Sequence, residues 1–269
     1  MIRLGSYDIE IQEKAKKLRL IDDALFRLIA VRKEVCQEIL RTLLDDDELE
    51  VVSVTPQETM VSLFRGITLD ALCKLGDGTL SNIEMQKGSS NDDIRRVRFH
   101  ASLITANYTP KGTDFKDIPE VKVLYITEYD ALQNNQNVTH VSRCQKVGKE
   151  YIPIEDGEDI IFANTVVKKQ DKYTKLLQLF LKSESFYEEE YPNLSKAMQH
   201  FKDTEKGRDK MCSIIEEYAV DIAVDTLIDA CMDLECSKDK TIKMALKKFP
   251  QIPEEQIHKR VEELWNRQD

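Results

Sequence analysis

Hydrophobic residues recur at helical spacing through the first part of the chain. Between residues 7 and 44 they return every three or four positions, which predicts helix, divided into two segments. The positions that carry this pattern are Leu25, Leu28, Ile29, Val35, Ile39, Leu40 and Leu43. The spacing then changes to the short alternation of strands in LEVVSVTPQ and ETMVSLFRG. Because Pro56 and Gly66 end these segments, we predict two short strands here.

Residues 68–86 have the pattern of a hairpin, in which two apolar runs flank Gly76-Asp77-Gly78. Beyond the hairpin, SSNDDIRRVRFHASLITANY predicts a helix that begins at a cap within residues 90–92. The near-continuous apolar run in EVKVLYITEYD is typical of a central strand covered on both faces.

Two shorter strands are predicted around residues 138–144 and 158–163, and the pattern is helical from about residue 171 onwards. The last helical stretch is broken at Pro250 and Pro253. This order of elements predicts an α/β fold with a sheet of about four to six strands.

The order of elements also suggests a division of the chain. We expect residues 1–170 to form the α/β domain and residues 171–269 to form a helical region for packing, dimerisation or DNA binding. The lysines near its end favour a helix-turn-helix-like DNA reader, although such tails more often pack or dimerise. These lysines are Lys238, Lys240, Lys243, Lys247 and Lys248.

The charge balance argues against binding of nucleic acid through bulk charge. The chain of 269 residues has 49 Asp and Glu against 39 Lys and Arg, a net charge of −10, whereas affinity for phosphate comes from Lys and Arg. A nucleic-acid enzyme of this composition needs its basic residues gathered locally.

The six cysteines are scattered without metal-ligand spacing, which is typical of reduced thiols in a cytoplasmic protein. The first residues lack the apolar core of a signal peptide, and no apolar run has the length of a membrane span.

Two acidic residues stand inside the apolar runs of the predicted hairpin. A three-residue loop places Asp70 opposite Glu84, with Cβ atoms roughly 5 Å apart, and Gln86 on the same face as Glu84. The other face is then apolar, with Leu69, Ala71, Cys73, Leu75, Ile83 and Met85.

Like charges that lie opposite each other destabilise a sheet, so this pair needs a shared proton, a basic partner or a cation. Mg²⁺ is a suitable cation, because it binds one or two carboxylates together with waters and a phosphate. Two alternatives stay open: a solvated hairpin edge, and a one-residue register shift that separates the acids.

The order of motifs around these acids resembles a known nuclease superfamily. An Asp followed by a strand with Glu-x-Lys or Glu-x-Gln is the PD-(D/E)XK signature, and LDALCKLGDGTLSNIEMQ, RRVRFHASLI and KGTDFKDIPEVKVLYITEYD occur here in that order. The segments VGKEYIPIEDGEDIIFANT and GRDKMCSIIEE continue the likeness. The chain resembles the PD-(D/E)XK nuclease family transposases, also called recombination-promoting nucleases (the Rpn family). This resemblance implies a restriction-endonuclease-like core, a central mixed sheet flanked by helices, with a helical C-terminal region.

The resemblance implies a DNA endonuclease that depends on Mg²⁺, with Mn²⁺ as a substitute. By position, Asp70 and Glu84 would hold the metal, together with the backbone carbonyl of Met85. Gln86 stands where the superfamily has a lysine that positions the attacking water and neutralises charge. An amide can do the first but not the second.

Further candidates come from the same resemblance and from local composition. The superfamily often adds an acid from its first helix, for which Glu34 and Glu38 are the candidates, with solvation of the helix surface as the alternative. His100 is expected to be a packing or surface residue rather than a general base.

Basic residues that follow the Glu-x-Gln strand are candidates for DNA contacts. Lys87 precedes Arg95, Arg96 and Arg98, of which Arg95 and Arg98 share a helix face. They can bind backbone phosphates or form surface ion pairs with neighbouring acids.

Two functions therefore remain open from the sequence. The first is the metal-dependent nuclease, and we expect a homodimer because nucleases that cut both strands commonly act as pairs. The second is a catalytically weak or inactive nuclease-fold protein that acts as a DNA-binding or protein-assembly module, which the acidic charge and Gln86 favour. The chain has no P-loop and no GxSxG motif, which disfavours nucleotide-dependent enzymes and serine hydrolases.

Overall fold

The computed structural model describes residues 9–62, 66–88, 93–166 and 169–265. The helices are α1 (Ile9–Lys17), α2 (Asp23–Ile29), α3 (Lys33–Leu44), α4 (Asp93–Asn107), α5 (Thr174–Leu179), α6 (Pro192–Asp203), α7 (Glu205–Asp233), α8 (Lys238–Lys248) and α9 (Glu254–Trp265). The strands are β1 (Val51–Val61), β2 (Gly66–Leu75), β3 (Leu80–Gln86), β4 (Val121–Thr127), β5 (Val138–Val141), β6 (Cys144–Val147), β7 (Glu150–Pro153) and β8 (Glu158–Asn164).

Six strands form one mixed sheet in the order β1-β2-β3-β4-β8-β5, and β6 and β7 form a separate two-stranded sheet. β3, β4 and β8 are parallel to one another, whereas β1, β2 and β5 join the sheet by antiparallel pairing. This confirms the predicted α/β fold with its mixed sheet. The β6–β7 hairpin is not part of the prediction.

The N-terminal helical stretch differs from the prediction, because its described part, residues 9–44, contains three helices rather than two. Asp22 and Arg32 have extended backbone conformations at the starts of α2 and α3, and each interrupts the helix. The cap predicted within residues 90–92 for α4 lies outside the described residues.

One strand, β1, replaces the two strands predicted on either side of Pro56. Pro56 pairs with Ala71 in the ladder, and β1 is an edge strand, where a proline can sit without leaving a central hydrogen bond unmade. The next residue, Gln57, has a φ of 55° and makes no ladder pair, but its register position, between the pairs Pro56–Ala71 and Glu58–Leu69, is opposite Asp70. The irregularity that Pro56 signals is therefore a local distortion inside a strand.

The sheet is covered on both faces, which explains the apolar run in β4. One face, here called the α2 face, packs against α1–α3, α5, α6 and the first part of α7. The opposite face, here called the α4 face, packs against α4. Along β4 the buried side chains alternate, with Leu124 and Ile126 on the α2 face and Val123 and Tyr125 on the α4 face. The prediction of a doubly covered central strand is confirmed.

A third apolar cluster lies at the C-terminal end, formed by the second half of α7 with α8 and α9. α8 ends before Pro250 and α9 begins after Pro253, as predicted. Because α5, α6 and the start of α7 pack on the α2 face, helices beyond residue 170 complete the core of the sheet. A domain boundary at residue 170 stays a proposal. No helix among the described residues combines the length and apolarity of a membrane span.

Candidate active site

The hairpin β2–β3 has the predicted loop and register. The N–H of Leu75 donates to the carbonyl of Thr79 (2.9 Å), and that of Gly78 donates to the carbonyl of Leu75 (3.0 Å). Gly78 has a φ of 93°, the left-handed conformation that three-residue hairpin loops commonly require. The ladder pairs Leu72 with Asn82 and Ala71 with Ile83.

The two strands separate at the acids, one residue beyond the last ladder pair. There the side chains replace the backbone as hydrogen-bond acceptors. The N–H of Asp70 donates to Oε1 of Glu84 (3.2 Å), and the N–H of Met85 donates to Oδ2 of Asp70 (2.8 Å). Each carboxylate thus bonds to the opposite strand, and the structure brings the two acids together.

The prediction for Leu69 is wrong, because this side chain packs on the α4 face together with Leu72. Ala71 and Cys73, its expected neighbours, pack on the α2 face. The alternation along β2 therefore breaks at Asp70, opposite the left-handed Gln57. As a result the two acids do not share one face of the hairpin and instead meet in the gap between the strands.

Glu84 lies on the α4 side of this gap and is buried, with 3% of its surface exposed. The amide of Asn82 donates to its Oε1 (2.8 Å), and Nδ1 of His100 is 3.5 Å from the same oxygen. His100 is also buried, and its Nδ1 makes no hydrogen bond among the described residues. These contacts hold Oε1, while Oε2 accepts no hydrogen bond from the part of the chain that the structure describes.

Asp70 lies on the other side of the gap, next to Asp23 at the start of α2. Burial raises the pKa of Asp70 well above its usual range, and the charges of Glu84 and Asp23 raise it further. The hydroxyl of Tyr218 in α7 donates to Oδ2 of Asp23. Oδ1 of Asp23 is buried and has no hydrogen-bond partner among the described residues.

Asp23 is the site residue that the sequence reasoning misses. In the sequence, Asp22 and Asp23 directly precede an apolar helix, and acids at that position usually cap the helix and complement its dipole. The third acid of the site is therefore hidden behind a common structural role.

Oxygen ligands of this kind fit a divalent cation such as Mg²⁺. Among the described residues, no group of three or more His, Cys, Asp or Glu side chains forms a ready-made metal-ligand set. Mg²⁺ does not need one, because it usually keeps several waters and binds one or two carboxylates plus a substrate phosphate. No lysine or arginine among the described residues forms a salt bridge with Asp23, Asp70 or Glu84, and the buried Oδ1 of Asp23 has no hydrogen-bond partner there, so a divalent cation would supply positive charge that these acids lack.

The structure places the two predicted helix acids in other roles. Glu38 accepts hydrogen bonds from the backbone N–H groups of Asn193 and Leu194 (2.8 and 2.9 Å) and so caps the start of α6. Glu34 is exposed in the first turn of α3. The acid that a helix contributes to Asp70 and Glu84 is Asp23.

Gln86 and Lys87 end β3 beside the acids. The amide nitrogen of Gln86 donates to the carbonyl of Gly88 (3.0 Å), which leaves its oxygen as a potential acceptor. Lys87 forms an ion pair with Asp22 at 2.6 Å. Its charge is therefore partly compensated at the start of α2.

The predicted arginines Arg95, Arg96 and Arg98 are all exposed on α4. None of the three forms a salt bridge with another described residue. Their neighbour Asp93 is buried and instead accepts hydrogen bonds from the hydroxyls of Tyr125 (3.3 Å) and Tyr129 (2.8 Å). The alternative of ion pairing with Asp93 is therefore not what the structure shows.

A mixed sheet with helices on both faces, and an acid pair where β2 and β3 separate, define a nuclease core of the PD-(D/E)XK type. A family model described as PD-(D/E)XK nuclease family transposase matches residues 23–210. The chain belongs to this family, as the resemblance predicts. Comparison with curated proteins and with solved structures gave no significant match. Membership indicates a nuclease-type function, and divalent metals are general among PD-(D/E)XK nucleases.

Proposed function

We propose that this protein is an endonuclease that hydrolyses phosphodiester bonds in DNA with Mg²⁺, for which Mn²⁺ can substitute. The observation that carries the proposal is the convergence of Asp23, Asp70 and Glu84 in a largely buried gap where no lysine or arginine among the described residues pairs with Asp70 or Glu84. Carboxylates are rarely buried unless they are paired or bind a metal. A divalent cation is the partner that both the donor set and the family support.

In this proposal Asp70 and Glu84 would hold the ion, together with the backbone carbonyl of Met85. Asp23 contributes negative charge and its buried Oδ1 from the third side. A bound Mg²⁺ would supply Lewis-acid stabilisation for the charge that develops on the scissile phosphate. Asn82 and the N–H of Asp70 fix Oε1 of Glu84, so the site is organised before substrate arrives.

Gln86 would position the attacking water through its amide oxygen, because its amide nitrogen donates to the carbonyl of Gly88. Gln86 carries no charge, so it cannot neutralise the phosphate as a lysine would. We therefore expect a slow enzyme whose rate depends strongly on the metal. Lys87, Arg95, Arg96 and Arg98 are the proposed DNA contacts, since phosphate contacts fix the position of a protein on the duplex.

The test is metal-dependent nicking of supercoiled DNA by the wild type and by Asp70→Asn and Glu84→Gln. Both substitutions preserve shape and remove a charged ligand, so we expect roughly a hundredfold loss of cleavage rate or more. Asp47→Asn is the matched control, because Asp47 is exposed in the loop before β1, and should cut like the wild type. If the two site variants cut as fast as this control, the acids do not carry the chemistry.

A nuclease-fold module without catalysis is the second candidate, and Gln86 is the observation that favours it. Thermal unfolding with added Mg²⁺ or Mn²⁺ separates the two, because a ligand that binds only the folded state raises the midpoint. The proposed nuclease shows this rise and loses it in Asp70→Asn. A chain that neither cuts DNA nor responds to either metal is a binding module. A sizing column with DNA present tests the proposed homodimer.

A further inference from the structure

A basic cleft of about 470 Å³ lies beside the acids, on the α2 face of the sheet. Its walls come from α2 and the turn that follows it, from the middle of β1, from the end of α6 and from the first half of α7. Four different segments of the chain therefore meet here. No local motif in the sequence marks such a site.

The charged residues that line the cleft are mostly cations, in a protein with a net charge of −10. Arg27, Arg32, Lys206 and Lys210 line it, and none of these four forms a salt bridge with another described residue. Glu217 is the acid that lines the cleft. Lys206 and Lys210 are one helical turn apart on α7, so both ammonium groups lie along the same wall.

Two buried donors in the cleft have no acceptor among the described residues: Nη1 of Arg32 and Nε2 of Gln57. Burial lowers the pKa of Arg32, and its guanidinium stacks over the ring of Phe201 with 5.0 Å between Cζ and the ring centroid. Burial also lowers the pKa of His200, and the charges of Arg32 and Lys206 lower it further. A buried donor without an acceptor is costly, and an anion in the cleft would supply an acceptor.

The cleft adjoins the acids through three connections. Arg27 follows Asp23 by one turn of α2, so the two side chains share a face. Gln57 lies between Pro56 and Glu58, which pair with the two neighbours of Asp70, Ala71 and Leu69, in the β1–β2 ladder. Glu217 precedes Tyr218, whose hydroxyl bonds to Asp23. A polymer with phosphates at regular spacing can therefore occupy the acid site and the cleft together.

We propose that this cleft binds a backbone phosphate of the DNA strand whose neighbouring phosphate lies at Asp70 and Glu84. The assignment rests on the proposed nuclease function and extends it, because it says where the strand leaves the acids: along α2 and α7, on the α2 face. The guanidinium of Arg32 and the amide of Gln57 line the cleft, and the exposed ammonium groups of Lys206 and Lys210 lie along the α7 wall.

The experiment compares Lys206→Gln/Lys210→Gln with Lys111→Gln/Lys149→Gln. The control pair removes the same charge from two exposed loops at the opposite end of the sheet. Binding of a labelled DNA duplex is followed by anisotropy at several salt concentrations, with Asp70→Asn present in every protein so that the DNA stays intact. The plot of the logarithm of the binding constant against the logarithm of the salt concentration has a negative slope. Each lost phosphate contact makes this slope less steep by about 0.9. We expect the cleft variant to bind about tenfold more weakly, with a slope less steep by about 0.9 because one phosphate contact is lost, and the control to match its parent.

Equal binding by the cleft and control variants overturns the assignment. A second measurement identifies what the cleft binds in that case. If the two variants bind DNA equally but inorganic phosphate raises the thermal midpoint of the wild type and not of the cleft variant, the cleft binds a small anion only, and the assignment is overturned. These results differ from failure of the nuclease proposal, in which the unmodified wild type does not cut DNA with either metal. Both lysines are exposed, so we expect every variant to fold.

Discussion

Asp70 is held in a position that disfavours its own charge. Its Oδ2 accepts a hydrogen bond from Met85, which favours the ionised form, but burial and the acids Glu84 and Asp23 act in the opposite direction and dominate. The protein therefore folds around a group that is easier to bury protonated. Such costs are typical of functional sites, where groups are arranged for a ligand rather than for stability.

Asp70→Asn should stabilise the metal-free protein at neutral pH. A carboxyl whose pKa is higher in the folded than in the unfolded chain binds more protons when folded, so stability falls as pH rises through the raised pKa. Each unit of raised pKa corresponds to about 1.4 kcal/mol, and asparagine can still accept the hydrogen bond from Met85. We expect a gain of about 1 kcal/mol or more at pH 7, roughly 2–4 °C in thermal midpoint.

The measurement is the free energy of unfolding in chelator between pH 4 and pH 8. The wild type loses stability as the pH rises from the usual pKa of an aspartate, 3.8, towards the raised pKa of Asp70, Asp70→Asn lacks that loss, and Asp47→Asn follows the wild type. An Asp70→Asn protein that is less stable than the wild type at pH 7 would show that Asp70 gains from its charge. That result would remove the electrostatic reason for a cation.

Residue identity predicts part of this site. Asp70 and Glu84 stand out because acids inside apolar strand runs need an explanation, and the spacing of a three-residue loop brings them together. Gln86 stands out because it lies two residues after Glu84, where the nuclease signature has a lysine or a glutamine. Asp23 and the cleft around Arg32 could not be predicted in this way. Asp23 occupies a position where acids are ordinary, and the cleft is formed by residues from segments that are far apart in the chain.

At the scale of elements, the junction of α6 and α7 forms one wall of the basic cleft. Only Thr204 separates the two helices, and its hydroxyl accepts a hydrogen bond from Gly207 (3.0 Å). A Cβ on Gly207 would lie 2.0 Å from the carbonyl oxygen of His200 and 2.6 Å from Cα of Phe201. Both neighbours are backbone atoms, so the helices would have to move apart.

Gly207→Ala should therefore destabilise the protein even though alanine favours helix. The gain in helix propensity is about 1 kcal/mol, whereas overpacking typically costs about 1–3 kcal/mol and more where backbone must shift. We expect a net loss of about 2 kcal/mol or more, measured as the urea midpoint at constant m value. Asp229→Ala introduces the same side chain at an exposed position of α7 and should stay within about 0.5 kcal/mol of the wild type. Equal effects of the two substitutions would mean that the contact is not tight.

Element prediction succeeded where a local signal decides the structure and failed where the neighbours decide it. The register of β2–β3 follows from the Gly-Asp-Gly loop, and β4 follows from its apolar run. Pro56 suggested two strands because its effect depends on whether its strand is at an edge, which only the sheet order reveals. The separation of β2 and β3 at Asp70 depends on side-chain carboxylates that compete with the backbone, and strand patterns carry no such information.

At the scale of the whole molecule, α7 joins two bodies of apolar packing. It has 29 residues, which corresponds to about 44 Å at 1.5 Å per residue. Met211 and Cys212 pack on the α2 face, whereas Val224 and Ile228 belong to the C-terminal cluster. The buried residues of that cluster come from α7, α8, Phe249 directly after α8, and α9. A bidentate ion pair between Arg260 and Asp225 (both 2.6 Å) adds to it.

This arrangement predicts that the C-terminal cluster unfolds before the sheet, because it buries far fewer apolar side chains and α7 is its main connection. The single tryptophan, Trp265, packs against the cluster, so its fluorescence reports this unit while far-UV circular dichroism reports the whole chain. In urea we expect the fluorescence transition first.

Val261→Ala, at a fully buried position of α9, should lower the stability of the cluster by about 2 kcal/mol and shift only the fluorescence transition. Val123→Ala makes the same change in β4 and should shift the main transition. Coincident transitions that both variants shift together would make the chain one cooperative unit and remove any boundary within α7.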